Sequence, residues 1–203
     1  MILRKLRIIP LTAIVSIVFL VVGCWIPENF EAKISVKKDG SYTFIYDGTL
    51  TYALALAAAK DGSLSREDEA EMQREAATLR REPGFKHVDY LGKGRYKVYV
   101  EKVGRPGEPY YFLSQEMKIF AVRPLKDGTI NITGIRPSKS NIQEFKSIGA
   151  KMDGKLTVSV ARGIKVLRHN AQSEPYLFGL LGSYKWEIKS PDVDPFIVLK
   201  PSS

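Results

Sequence analysis

A chain that performs nucleophilic or acid–base chemistry needs a few polar side chains able to converge, and this 203-residue sequence offers few: one cysteine, Cys24, and two histidines, His87 and His169. His87 follows Lys86 in a stretch that reads as a strand, which makes it a half-exposed strand residue rather than a base. His169 precedes Asn170 at a turn, where polar pairs bond the backbone. No Gly-x-Ser-x-Gly or Ser-x-x-Lys nucleophile motif occurs. Two distant histidines, a lone cysteine and no Asp-x-Asp-x-Asp loop leave no metal site. The run Leu91-Gly92-Lys93-Gly94-Arg95 lacks the spacing and the following helix of a phosphate loop and reads as a hairpin turn. The expectation is a non-enzymatic chain without metal or cofactor.

The cysteine has a different use. Arg4, Lys5 and Arg7 form a basic start, Ile8 to Val22 is almost wholly apolar, and small Gly23 precedes Cys24. That is the layout of a secretory signal. The apolar run is short against the roughly 20 residues a membrane-crossing helix needs, and basic residues before it fit an n-region left in the cytoplasm. Val21-Val22-Gly23-Cys24 resembles the lipobox of bacterial lipoproteins. The resemblance implies cleavage between Gly23 and Cys24 and a diacylglycerol on the Cys24 thiol, which as a thioether is no nucleophile. Val22 departs from the more frequent Ala or Ser. Trp25, where an Asp implies inner-membrane retention, implies an outer-membrane address in a host with two membranes. The alternative is an uncleaved anchor helix from Ile8 to Ile26, weakened by Pro10. The expected organisation is a signal over 1–23, an acylated tether over 24–29 stiffened by Pro27, and one domain over 30–201. The Asn131-Ile132-Thr133 sequon has no role on a bacterial export route.

Composition agrees with a globular remainder: 44% hydrophobic, 26% charged, formal net charge +9. Three of those charges lie before Cys24, so the rest carries +6. A basic surface suits anionic lipid or nucleic acid; export excludes nucleic acid. One cysteine makes no internal disulfide.

The elements read as α+β. Phe30, Ala32, Ile34 and Val36 alternate with polar residues, Asp39-Gly40 supplies a hairpin turn, and Tyr42, Phe44 and Tyr46 continue the alternation. Leu50, Leu54 and Ala58 then recur at helical spacing in an alanine-rich run ended by Asp61-Gly62. Ser65 and Asp68 form a capping pair for a second helix with a thin stripe of Met72, Ala76 and Leu79, stopped by Pro83-Gly84. A second hairpin turns at Gly92–Gly94, with Tyr96, Val98 and Val100 on one face. A third turns at Asp127-Gly128. Ile142, Phe145 and Ile148 face inward on a short helix, two strands flank Gly163, and the Trp186 and Phe196 strands close the sheet. The expectation is a mostly antiparallel sheet of hairpins with two or three helices on one face.

Two stretches could bind. Lys93, Arg95 and Lys97, with Tyr96 and Tyr99, could meet anionic headgroups, or form a solvated hairpin face. Leu177, Phe178, Leu180 and Leu181, among glycines, make either a buried irregular segment or an apolar lip for acyl chains or a partner. The lipobox, the opening hairpin, the intervening helix, and the stretches Lys155–Ala171 and Gly182–Ile188 resemble the LppM-type lipoprotein domain. Asn170-Ala171 and Trp186 occupy that family's late turn and its Trp-bearing strand. The resemblance implies an exported, anchored α+β domain with a lipid or glycolipid role and no catalytic residues. The functional expectation is a membrane-anchored envelope lipoprotein that binds lipid, glycolipid or another envelope component. The alternative is a protein–protein subunit of an envelope assembly. An envelope hydrolase requires His169 beside a carboxylate in a pocket.

Overall fold

A computed structural model describes residues 25–114, 119–176 and 182–201. The chain is α+β, with three helices and eleven strands among the described residues. The expected first hairpin is present but longer than expected. Strand β1 covers Trp25–Val36 and β2 covers Tyr42–Tyr52, joined at a turn where Gly40 has φ +84°. The Asp39 carboxylate accepts bonds from the Ser41 N–H at 2.9 Å and the Ser41 hydroxyl at 2.7 Å. The same bonds link Asp61 to Ser63 after helix α1 (Ala53–Asp61). They recur from Asp127 to Thr129, between β6 (Phe120–Pro124) and β7 (Ile130–Gly134).

A fourth copy of that tripeptide, Asp47-Gly48-Thr49, does not turn. β2 runs straight through it to Tyr52, paired with β1 on one side and with β4 (Arg95–Gly104) on the other. Two neighbouring strands, built from residues far away in sequence, satisfy its backbone and override the local preference. Gly48 serves a β-bulge instead. Pairing passes from Glu28–Thr49 to Glu31–Asp47, so β1 carries one extra residue. A Cβ on Gly48 would stand 2.4 Å from Phe30 Cβ. Asn29 takes φ +45° there, a conformation asparagine tolerates better than most residues.

The bulge also overturns the tether expected over 24–29. Trp25 to Asn29 belong to β1, and Ile26 is fully buried. It likewise excludes an anchor helix reaching Ile26. Pro27 is compatible with the strand because β1 has only β2 as a neighbour there; pairing with β8 (Gly154–Val160) begins at Phe30.

The first sheet has the order β10-β8-β1-β2-β4-β3, with β10 over Tyr184–Ile188 and β3 over Phe85–Gly92. β1 and β8 are parallel; the other pairs are antiparallel. The expected single sheet is in fact two. β5 (Tyr110–Tyr111), β6, β7, β11 (Phe196–Lys200) and β9 (Lys165–His169) form a second. The two strands flanking Gly163 part there, β8 joining the first sheet and β9 the second. Aromatic contacts join the layers: Phe30–Phe120 at 5.6 Å, Phe44–Phe112 at 5.2 Å and Tyr46–Phe112 at 4.7 Å between ring centroids. Phe30, Phe44, Phe112 and Phe120 are each at most 2% exposed, and burial of each such ring contributes roughly 1.5–3 kcal/mol.

The remaining inner face of the first sheet takes helix α2 (Arg66–Leu79), whose Met72 and Ala76 are buried and whose Met72 carbonyl accepts the Tyr96 hydroxyl at 3.2 Å. The expected Ser65–Asp68 capping box is present. α1 begins at Ala53, not at Leu50. That shift buries Ala53, Ala55 and Leu56 and leaves Leu54 exposed, against the expected Leu50-Leu54-Ala58 stripe. Helix α3 (Lys139–Ser147) buries Phe145 and half-buries Ile142 and Ile148. Before the bulge, Glu28 points outward opposite Thr49, and the segment after α3 closes over it. The Lys151 N–H donates to Glu28 Oε1 at 2.8 Å, while Thr51 Oγ1 at 2.6 Å and Arg95 Nε at 3.0 Å donate to Oε2.

Two predictions follow from these bonds. Glu28→Ala leaves the Arg95 charge and two donors unpaired; it should cost about 3–5 kcal/mol of unfolding free energy, measured by denaturant titration, and Glu28→Gln less. A loss under about 1 kcal/mol for Glu28→Ala would mean the cluster is not holding the bulge. The second concerns pH. Hydroxyl and then backbone bonds from Ser41, Ser63 and Thr129 hold the Asp39, Asp61 and Asp127 carboxyls below the usual value. A depressed folded value means stability present above the ordinary aspartate range, about 3.9, and lost as pH falls through the folded value. Calorimetric melting should drop below pH ~4, with a shallower drop in Asp127→Asn.

Candidate functional site

Most of the expected contact residues are not brought together. Cys24, Gly23 and Leu177, Phe178, Leu180 and Leu181 lie outside the described residues, so they take no structural reading. Lys93, Arg95 and Lys97 fall on three different tasks. Arg95 is half-buried on Glu28. Lys97 pairs with Asp47 at 2.6 Å on the solvent face. Lys93 sits exposed in the β3–β4 turn, its N–H donated to Glu69 Oε1 at 3.0 Å. Alternation places Tyr96 in the core and Tyr99 on the opposite face, so no aromatic–cation cluster forms.

Neither histidine forms a catalytic constellation. His87 Nε2 lies 2.6 Å from Asp89 Oδ2, with both side chains about half exposed on edge strand β3 and Arg80 also on Asp89 at 3.3 Å. His169 does meet a carboxylate, Glu174, at 3.6 Å. Its Nδ1, however, accepts the Ala171 N–H at 3.2 Å, its ring packs on Tyr184 at 4.8 Å, and Glu174 is mostly exposed. The geometry is that of a turn brace. Among the described residues no group of three or more His, Cys, Asp or Glu side chains could hold a metal ion.

Asn170 is structural in a way the sequence reading did not reach. Its Oδ1 accepts both Trp186 Nε1 and the Phe196 N–H at 2.9 Å, and its Nδ2 donates to the Asp194 carbonyl at 2.7 Å. Trp186 belongs to the first sheet and Phe196 to the second, so one amide joins them. The two residues singled out in sequence, Asn170 and Trp186, are therefore direct partners.

Among the described residues the roomiest of several concave surfaces is a groove of about 760 Å3 between α1 and α2 at the Trp25 end of the first sheet; two others are about 420 Å3 each. Its floor is Trp25 and Tyr52, paired across β1 and β2. Trp25 meets Tyr52 at 5.6 Å and Tyr96 edge-on at 5.4 Å. Leu54, Ala55, Ala58 and Leu64 form one wall; Met72, Glu71 and Glu75 form part of the other. Small residues make the narrow side possible. The β3–β4 turn lies against α1 so closely that a Cβ on Gly94 would stand 2.5 Å from Ala55 Cβ.

The nearby phenols are donors. Burial, then the Glu75 charge, raise Tyr52 and carry Tyr96 far up. Burial and the hydrogen bond to Glu69 push Tyr90 up to about 12. None is a phenolate at neutral pH. An aromatic and aliphatic floor under a rim of Asp68, Glu71, Glu75 and Arg74 suits an amphipathic molecule whose polar end meets those charges. Sequence reading missed the floor because Trp25 was assigned to the tether. The signal was there: Trp25 to Pro27 is an apolar run leading into the alternation that begins at Phe30.

Asn170→Ala strands the Trp186 and Phe196 donors. It should cost about 1–3 kcal/mol per donor left without a partner, with loss of near-ultraviolet dichroism from Trp186 before the far-ultraviolet signal. An unchanged unfolding midpoint would remove the junction role.

Compared with known proteins, the chain matches no protein-family model and no curated sequence.

Proposed function

We propose that this protein is an exported envelope lipoprotein, held on a membrane by acyl chains on Cys24, whose α1–α2 groove binds an amphipathic envelope molecule without turning it over. The observation that carries the reading is positional. The residue after the lipobox-like cysteine, Trp25, is the floor of the groove, so the anchor and the binding surface are one peptide bond apart. A groove of about 760 Å3 lies within the range of small-molecule sites, roughly 300–1,000 Å3. The mixed lining favours a lipid or glycolipid with an apolar body and a polar end. In a two-membrane host, Trp25 after the cysteine favours the outer membrane.

The groove reading is favoured over a docking module built on a bare sheet edge. Edge strands β3, β9 and β10 carry Lys86, His87 and Asp89, Lys165 and Arg168, and Lys185 and Glu187, and the fourth edge, β5, is two residues long. Such charges guard edges against strand addition.

The test has two arms. Cys24→Ser should abolish metabolic acyl labelling and move the protein out of the membrane fraction. Protein extracted from membranes should carry a bound lipid-class species in native mass spectrometry, reduced at least tenfold in Ala58→Trp, which fills the groove. Membrane fractionation unchanged by Cys24→Ser defeats the anchor; an Ala58→Trp variant with full occupancy defeats the groove.

A further inference from the structure

The corrected start of the fold has a geometric consequence. An anchor on Cys24 has no linker: Cys24 and Trp25 are neighbours, with about 3.8 Å between their Cα atoms, and Trp25 already belongs to β1 and packs, partly buried, against the core. The same holds if the apolar run Ile8–Val22 stays in place. Either anchor forces the Trp25 end of the first sheet against the bilayer.

That end is built from three pieces: Trp25 with Tyr52, the first turn of α1, and the β3–β4 turn. Tyr52 N–H donates to the Gly94 carbonyl at 2.8 Å, which locks the turn to the start of α1. On these pieces stand two large apolar side chains with no place in the core, Leu54 at 57% and Leu91 at 59% exposed. Leu54 precedes Ala55, and Leu91 lies three residues before Gly94, in the two segments that meet at the Gly94–Ala55 contact. An exposed leucine is ordinary singly; here two stand on segments tied together by the Tyr52–Gly94 bond. Lys93 stands in the same turn, exposed. The Lys93 N–H donates to Glu69, and the groove lining sets Asp68, Glu71 and Glu75 against Arg74, so carboxylates outnumber the guanidinium there. By contrast Val103, equally exposed, lies eight residues along β4 from Arg95, about 26 Å away at strand rise.

We propose that this end of the protein is its bilayer-contact face, with Leu54 and Leu91 entering the interface beside the anchor and Lys93 at headgroup level. The proposal rests on the anchored reading above and adds the orientation: the groove opens toward the lipid, the second sheet faces away. Contact depends on apolar burial and the anchor, not on anionic lipid.

The test uses acylated full-length protein floated with phosphatidylcholine vesicles whose acyl chains carry bromine. Trp186, 1% exposed in the core, supplies a constant background, so bromine quenching reports Trp25. Wild type should lose a large part of its Trp25 emission. Leu54→Glu with Leu91→Glu should still float but recover at least half of the quenched signal, and Val103→Glu should behave as wild type. Unquenched wild type that floats, a double variant quenched like wild type, or quenching that requires anionic lipid overturns the proposal. Mass spectrometry of the N-terminal peptide separates the two readings. If Cys24 carries no acyl group, the anchor reading fails on its own, and mature protein coupled through Cys24 to a maleimide lipid gives the orientation the same test against wild type and the two variants.

Discussion

The carboxylate of Glu28 sits where β1 changes which side faces the core, and most of the first sheet depends on that point. An extra residue at the bulge lets Trp25 and Pro27 share a face with Phe30, Ala32 and Ile34. Without it, one set would point to solvent, because a one-residue slip flips every side chain beyond it. Bulges need a fastener. Here it is an outward-facing acid turned into a buried one: the Thr51 hydroxyl, the Arg95 guanidinium and the Lys151 N–H all converge on Glu28. Asp153 completes the junction, its carboxylate accepting the Asn29 N–H at 3.1 Å and its carbonyl the Phe30 N–H at 3.2 Å. Residues more than a hundred positions away therefore set the register at the start of the domain and launch β8 parallel to β1.

Two further constraints follow from a chain that builds two sheets rather than one. The layers share an aromatic interior, and rings packed by shape alone leave some freedom of sliding. Asn170 removes it at one edge by giving its carbonyl oxygen to donors from both sheets. At the Trp25 end of the first sheet the helices α1 and α2 cover the inner face. Where helix, helix and strand ends meet, packing is incomplete, and the groove over Trp25 and Tyr52 is the result. Binding surfaces commonly arise at such boundaries between packing units.

The groove and the bilayer-contact end are consequences of the same local arrangement. A strand that starts at Trp25 brings the anchor to the domain without slack, and a helix that starts immediately after β2 brings Leu54 to the same rim. A protein held this way samples little of the space above the membrane, which raises the effective concentration of membrane components at its groove. The excess of acids over Arg74 at the groove and the pairing of Arg95 with Glu28 and of Lys97 with Asp47 distinguish this surface from one that works by attraction to anionic headgroups.

Much of this fold was legible in the sequence where short-range chemistry decides. The alternation of Phe30 to Val36 and Tyr42 to Tyr46, the Ser65–Asp68 capping box and the turns at Asp39-Gly40 and Asp127-Gly128 are set by residues within a few positions of one another, and they form as read. The limits appear at Asp47-Gly48-Thr49, chemically the same as the turns, where bonds to β1 and β4 hold an extended strand. They appear again at Trp25 to Asn29, read as a tether because Pro27 and polar neighbours look like loop, and at Leu50, which belongs to a strand because Tyr96 pairs opposite it. Of the candidate site, Lys93, Arg95 and Lys97 were visible as cations, but which was free for contact depended on Glu28 and Asp47. The sequence by itself determined the turns, the caps, the inward faces of the hairpins and the absence of the familiar nucleophile and metal motifs. Only the tertiary structure decided the partition into two sheets, the bulge and the groove, because each is fixed by bonds between segments whose proximity no local pattern encodes.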